Sequence, residues 1–274
     1  MYYPLDDSAS TGLSKNTVDR NFDDLSEKFA RKVYGGLKGD IRLAVIWRDL
    51  LAVLPNLDSK VETPAPLRIL DIGGGLGQLT VALAKLGHQV VYNDLSQQML
   101  EAAQKLAREA GVLDTIIWHQ QPYQTLKDEG LGQFDLVMSH ALIEWLAEPE
   151  LLIADLHHYL APEGLLSLTF YNQNALVYRN LIRGNFNVLQ GEFSAHPKSL
   201  TPGEPLQPDA VQQWVEEAGL ATDYSAGIRV FHDYVTTQRG GHEDASAVIE
   251  MELRHSVQEP FKWLGRYIHF ICSV

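Results

Sequence analysis

The chain has 274 residues, 45% of them apolar, 21% charged and 9% aromatic, with 21 Gly and 12 Pro. This is globular composition, which excludes a collagenous, a disordered or a disulfide-stapled chain and leaves length for one large α/β domain with a full core. The 22 basic and 35 acidic residues give a net charge of −13, so non-specific nucleic-acid binding is not expected and a polyanion would need a local basic face.

No apolar run is long enough to span a bilayer, so no membrane contact is expected. The lone Cys272 and the lack of any Cys/His cluster at zinc spacing predict neither disulfide nor metal, and point to the reducing cytoplasm. Residues 1–18 carry Asp6, Asp7 and scattered Ser, Thr, Pro and Gly without a period; they read as a flexible leader, with residues 19–274 as the domain proper. From Asp19, the residues Phe22, Leu25, Phe29 and Val33 recur at helical spacing until Gly35-Gly36. A second helix is expected from about Asp40 through Ile46, Trp47 and Leu50 to Leu54, where Pro55 closes it. Residues 19–56 are thus a helical cap.

Short apolar runs and helical stretches then alternate. The runs are Leu67–Ile72, Gln89–Asn93, Ile116–His119, Phe134–Ser139 and Leu165–Phe170; helices are expected at about 77–86, 96–110 and 149–160. Apolar strands separated by helices predict an α/β fold, a parallel sheet covered on both faces. Residues 172–206 are rich in Asn, Gly and Pro, too long for a simple connection, and are read as an inserted lid. A helix near 208–219 and apolar stretches near 224–235 and 263–271 return the chain to the sheet.

The sharpest chemical signal is Leu67-Arg-Ile-Leu-Asp71-Ile-Gly73-Gly74-Gly75-Leu-Gly77-Gln, a strand entering a glycine-rich turn that opens a helix. Glycines admit a ligand close to the backbone, and the helix start offers free N–H groups. The third glycine of a dinucleotide fingerprint is one position out of place, which argues against a nicotinamide oxidoreductase. Asp71 also sits beside the turn, where it would repel a pyrophosphate and suit a ligand with an ammonium. S-adenosylmethionine carries a sulfonium and an ammonium and no phosphate. Nineteen residues after Gly75, Asp94 ends the next strand, where a carboxylate can accept both ribose hydroxyls, and Ser96 can cap the following helix. Gln124 follows the third strand and His140 ends the fourth, both at the carboxyl edge where ligands of such sheets bind.

This ordered set resembles the class I S-adenosylmethionine-dependent methyltransferases over residues 60–171, and implies a Rossmann-like, mostly parallel seven-stranded sheet. The flanking segments narrow the resemblance. They include Asp19-Arg20-Asn21-Phe22-Asp23-Asp24, Arg42, Phe170-Tyr171-Asn172, Arg183-Gly184-Asn185-Phe186, Gly227-Ile-Arg229-Val-Phe231-His232-Asp233-Tyr234 and Gly265-Arg266-Tyr267-Ile268-His269. From about residue 19 to the C-terminus they are similar to the bacterial tRNA 5-carboxymethoxyuridine methyltransferases. The resemblance implies methyl transfer to the carboxylate of the modified wobble uridine, with the tRNA anticodon stem-loop as partner. It also implies Arg42, Gly73, Gly74, Asp94, Tyr123, Gln124 and His140 as cofactor positions, to which the glycine-turn reading adds Asp71 and Gly75. A carboxylate is ionised at neutral pH, so this acceptor needs no general base. It needs a grip, and a guanidinium fits a carboxylate best. Arg229 and Arg266 are the expected grip, Tyr171 and Tyr267 their neighbours, and Arg20 and Arg183 the reserve. Residues 15–48 hold eight basic against five acidic side chains, a local excess suited to an RNA backbone. A small-molecule carboxyl or hydroxyl methyltransferase, favoured by the acidic total, and a non-catalytic cofactor-binding scaffold are the alternatives.

Overall fold

Helix α1 (Leu37–Val53) opens the computed structural model, which describes residues 19, 35–58, 65–190, 202 and 205–274. The leader 1–18, most of the first expected helix and residues 191–201 of the expected lid lie outside the described residues. Helix α1 buries Ile41, Val45, Ile46 and Leu50 on one side and ends at Leu54, where Pro55 starts a 3-10 turn.

After it come β1 (Arg68–Ile72), α2 (Gln78–Lys85), β2 (Gln89–Asp94), α3 (Gln97–Glu109), β3 (Ile116–Gln120) and β4 (Phe134–His140). Then follow α4 (Pro149–His157), β5 (Leu160–Tyr171), α5 (Gln173–Arg183), α6 (Phe186–Leu189), α7 (Pro208–Glu217), β6 (Ala221–Ile228), α8 (Ala245–His255) and β7 (Tyr267–Ser273). The seven strands form one sheet in the order β3-β2-β1-β4-β5-β7-β6, parallel except for β7, which runs antiparallel between β5 and β6. Side chains alternate across it. Ile69, Val90, Leu136 and Ile271 pack under α1, α2, α3 and α8, whereas Leu70, Val91, Val137 and Phe270 pack under α4 and α7. Two apolar layers therefore cover both faces, as strands without a polar face require.

Three boundaries differ from the sequence reading, each for a local reason. Helix α4 stops at His157 and β5 begins at Leu160 rather than Leu165. The strand can start early because Gly164 passes so close to Phe134 that a Cβ there would lie 2.6 Å from its carbonyl oxygen. Strand β6 ends at Ile228, not Val235, because Arg229 turns left-handed (φ 61°) and takes the chain out of the sheet. Strand β7 starts at Tyr267, because Gly265 meets Gly227 backbone to backbone, where a Cβ would stand 2.6 Å from the Gly227 Cα. The segment read as a lid begins as helices α5 and α6. Among the described residues no helix is long and apolar enough to cross a membrane.

Candidate active site

The sheet order reverses between β1 and β4, and parallel strands leave an open crevice at their carboxyl ends at such a point. A cavity of about 840 Å³, open mouth included, lies there. It is lined by Arg42, Gly73, Gly75, Asp94, Tyr123, Gln124 and His140, together with Asp19, Asn93, Gln121 and the apolar Leu142 and Trp145. Seven of the nine expected cofactor positions therefore come together in the lining of one cavity.

The glycine turn is built by short contacts rather than by permissiveness alone. Gly73 and Gly75 have positive φ (70° and 55°), and a Cβ on Gly75 would meet nothing nearer than 4.0 Å, so the backbone there faces open cavity. Asp94 closes the turn from β2. Its Oδ2 accepts the Gly75 N–H (2.9 Å) and its Oδ1 accepts the Ser96 N–H (2.8 Å), while Ser96 Oγ caps α3 at Met99 N (3.2 Å). A carboxylate offers two acceptor sites on each oxygen, the chemistry required for holding a diol. On the opposite wall Gln124 donates its Nε2 to Asp19 Oδ2 (2.9 Å), which leaves its carbonyl as the acceptor end. Asp19 Oδ1 accepts the Ala147 N–H (3.0 Å), tying the start of the chain to the cavity rim.

Two expected positions lie off the wall. Asp71 turns back beneath the loop, where its Oδ2 accepts from Thr80 Oγ1 (2.5 Å). Burial pushes its carboxyl up to about 6, against that hydrogen bond and with help from the charge of Asp94. Asp71, expected to meet a ligand ammonium, is thus not among the residues lining the cavity, and Thr80, one turn into α2, takes its Oδ2. Gly74 is a packing glycine, since a Cβ there would stand 2.6 Å from the Tyr92 ring, whose hydroxyl donates to Gly75 O (2.6 Å).

A second constellation stands farther along the same edge. The β5–β7–β6 register sets Tyr171 beside Tyr267 and Tyr267 beside Ile228, so Arg266 and Arg229 follow at the strand ends, joined by Arg266 N–H to Arg229 O (3.3 Å). The left-handed turn at Arg229 is held by Glu252 of α8. Its buried carboxylate accepts the N–H groups of Val230 (2.7 Å), Phe231 (3.2 Å) and His232 (2.8 Å). Arg266 stacks over the Tyr171 ring (4.4 Å to its centroid), Arg229 lies 5.5 Å from the Tyr267 centroid, and Arg42 lies 4.1 Å from it. Arg42 therefore borders both the cavity and this cluster.

Asp233 sits among the guanidiniums, with its Oδ2 3.5 Å from Arg229 Nη2 and 3.8 Å from Arg266 Nε, and its Oδ1 3.8 Å from Lys38 Nζ. Burial would push its carboxyl up, but Arg229, Arg266, Lys38 and Arg179 hold it below the usual range. One carboxylate does not use all these donors. Arg229 Nε, Arg266 Nη1, Arg179 Nε and Tyr171 Oη are buried without a hydrogen-bond partner among the described residues. Such orphaned donors are costly unless a ligand meets them. Nearby, burial pushes the Glu144 carboxyl up to about 7, with Arg42 opposing.

The comparisons with known proteins agree with this architecture. A family model described as a methyltransferase domain matches residues 70–168. The tRNA 5-carboxymethoxyuridine methyltransferase of Escherichia coli (strain K12) is 40% identical over 252 residues, spanning 92% of this chain and 95% of its own. The chain belongs to this family. A ubiquinone biosynthesis O-methyltransferase of Chelativorans sp. (strain BNC1) is 32% identical over 69% of the chain and 72% of its own. The magnesium protoporphyrin IX methyltransferase of Synechocystis PCC 6803, solved with bound SAH, shares the fold at a TM-score of 0.58 and 17% identity over 92% of this chain and 95% of its own.

The cofactor of this family is S-adenosylmethionine, and the residues lining the cavity fit it. An acidic strand end faces the glycine turn, apolar Leu142 and Trp145 supply flat surface, and the Cβ-free cradle at Gly75 admits a close ligand. Sequence reasoning missed Asp19, Asp233, Glu144, Glu252 and Arg179. Asp233 lay inside a quoted motif, but only its approach to two arginines gives it a role. Arg20 lies outside the described residues, as do Lys15, Lys28, Arg31 and Lys32 of the basic window. Arg183 is exposed and donates to the Asp233 backbone carbonyl (3.1 Å). Arg48 is engaged by Asp49 (2.7 Å) and Ser256 (2.9 Å), so it is not free for a phosphate.

Proposed function

We propose that this protein transfers the methyl group of S-adenosylmethionine to the carboxylate of 5-carboxymethoxyuridine in tRNA, forming the methyl ester. One observation carries the reading: buried, uncommitted donors on Arg229, Arg266 and Tyr171 stand on the same sheet edge as the cofactor cavity, with Arg42 between them. A guanidinium pair with spare N–H groups is built to receive an anion of fixed plane.

The cofactor supplies an electrophilic methyl when bound. The protein's own contribution is placement. Asp94 and the Gly73–Gly75 backbone hold the cofactor side; Arg266 and Arg229 hold one carboxylate oxygen; burial of the cluster strips water from the other. Alignment of two bound reactants supplies several kcal/mol of a displacement barrier, about 7 or more in favourable cases. No side chain has to take a proton, which fits a cluster in which spare guanidinium and phenol donors stand around the carboxylate of Asp233.

For the partner, the reading is an anticodon stem-loop presented to the α5–α6 face. Tyr178, Leu181, Ile182 and Phe186 are all exposed there, and unstacked loop bases pack on such surfaces. Trp47 packs on the core and has no part in that face. Residues 172–206 would then act as a lid over the bound nucleotide, in a cytoplasmic enzyme. The test is mass spectrometry of tRNA nucleosides from cells lacking the protein, repeated with purified protein added back. Unesterified carboxymethoxyuridine should accumulate and then convert; an unchanged nucleoside profile would overturn the assignment. Equal methylation of a free small carboxylate by the purified protein would favour the small-molecule alternative.

A further inference from the structure

One set of buried polar groups runs from His140 on the cavity wall into the sheet interior. Strand register places Ser167 of β5 beside Met138, and Thr169 beside both His140 of β4 and His269 of β7, so these side chains share the sheet face that α1 covers. His140 Nε2 lies 2.8 Å from Ser167 Oγ, Ser167 Oγ lies 2.8 Å from His269 Nε2, and His269 Nδ1 lies 2.8 Å from Asp49 Oδ2. Asp49, Ser167 and His269 have 0% exposure. At the far end Asp49 Oδ1 also accepts from Arg48 Nε (2.7 Å) and from the Tyr224 hydroxyl (3.0 Å).

Donor chemistry gives the chain a direction. A carboxylate only accepts, so His269 donates from Nδ1. A neutral His269 then accepts at Nε2, which takes the Ser167 hydroxyl proton. Ser167 Oγ is left to accept, so His140 donates from Nε2 and carries its lone pair on Nδ1. The opposite direction needs a doubly protonated His269 in a fully buried position, beside a carboxylate already paired with Arg48, and that costs far more. His140 lines the cavity, and its Nδ1 has no partner among the described residues.

We propose that Asp49, His269 and Ser167 are positioning residues that hold His140 as the neutral Nε2–H tautomer, presenting its Nδ1 lone pair to an N–H or O–H donor of the bound cofactor. The proposal rests on reading the cavity as the S-adenosylmethionine site. Its logic is electrostatic: a ligand with a sulfonium and an ammonium is met better by a lone pair than by a second N–H. Burial above all, with the charge of Arg42 added to it, pushes the His140 imidazole well below the usual histidine range, which removes the cationic form.

Histidine ¹⁵N spectra of the full-length protein at neutral pH, with His140 assigned by His140→Gln, read the tautomer directly. His140 should be protonated at Nε2 and bare at Nδ1, and added S-adenosylhomocysteine should move the Nδ1 signal. Ser167→Ala should let the two His140 tautomers average and weaken S-adenosylhomocysteine binding about 3- to 10-fold, the effect of one neutral hydrogen bond. His269 should keep its Nδ1 proton against Asp49 in that variant. A His140 that is Nδ1–H or doubly protonated in the parent overturns the proposal, whether or not the variant folds. So does an unaltered His140 tautomer in Ser167→Ala. The proposed tautomer with a Nδ1 signal indifferent to S-adenosylhomocysteine supports the chain and overturns the cofactor reading beneath it.

Discussion

Replacing Arg266 or Arg229 with lysine tests the carboxylate grip without deleting its charge. The Arg266 guanidinium does three things at once: it stacks on Tyr171 at 4.4 Å, approaches Asp233 at 3.8 Å through Nε, and leaves Nη1 buried and uncommitted. An ammonium is a point donor and cannot hold the ring, Asp233 and the plane of a substrate carboxylate together. The expected loss is one charge-assisted hydrogen bond, about 1.5–3 kcal/mol, or about 10- to 150-fold in rate. The same range applies to Arg229→Lys, whose Nε is likewise buried and uncommitted. Single-turnover methylation of tRNA bearing carboxymethoxyuridine, at saturating cofactor, isolates the step from cofactor binding. Calorimetry with S-adenosylhomocysteine should show unaltered affinity in both variants, since neither arginine lines the cavity. If both lysine variants turn over within twofold of the parent, the grip is elsewhere and the proposed substrate geometry is wrong.

Three further outcomes are expected. Asp94→Asn should weaken cofactor binding by about 1.5–3 kcal/mol in calorimetry, the range for a lost charge-assisted contact, and undiminished affinity would take Asp94 out of the site. Asp233→Asn removes the carboxylate that faces two buried guanidiniums, so urea unfolding should show a loss of about 3–5 kcal/mol, and a loss under 1 kcal/mol would mean the ion pairs are solvated. Asp71 holds its proton up to about pH 6 in the folded protein, against an ordinary value of 3.8. The native state therefore binds more protons than the unfolded one between about pH 4 and 6, and stability contributed by this group falls as pH rises through that window, by at most about 3 kcal/mol. Urea midpoints for Asp71→Asn and the parent at the two ends of the window should show a shallower pH slope in the variant; identical slopes would contradict the buried carboxyl.

The cofactor half of the site was legible because it is local. A strand, a glycine turn, a helix start and the next strand end are consecutive, so Gly73, Gly75 and Asp94 could be placed from spacing alone. Asp71 shows the limit of that logic. Its neighbours in sequence suggest the ligand, but Thr80, nine residues on, takes the carboxylate once α2 winds back over the turn. The substrate half was legible as residue types and not as geometry. Arg229 and Arg266 stand out as cations in aromatic segments, but their convergence depends on β7 running antiparallel between β5 and β6, which brings residues 37 positions apart to one edge. Glu252 and Asp19 act across 20 or more residues through backbone N–H groups and an amide, and no periodicity reports such contacts.

Asp233 is the feature that gives the proposed grip its strength and its restraint. Arg42, Arg179, Arg229 and Arg266 crowd one end of the sheet, and burial disfavours the charged forms of Arg179 and Arg229. A carboxylate nucleophile held by all of them would be bound tightly and react poorly, because each donor lowers the energy of the oxygen lone pair that has to attack. Asp233 already occupies part of Arg229 and Arg266 at 3.5 and 3.8 Å, distances of loose ion pairs rather than tight hydrogen bonds. The cluster is thereby kept folded while its Nε and Nη1 donors stay available. A substrate carboxylate then meets a partly neutralised pair, which orients one oxygen and leaves the other with its electron density. That division suits a displacement, in which the ester product loses the charge and should be held less well than the substrate it replaces.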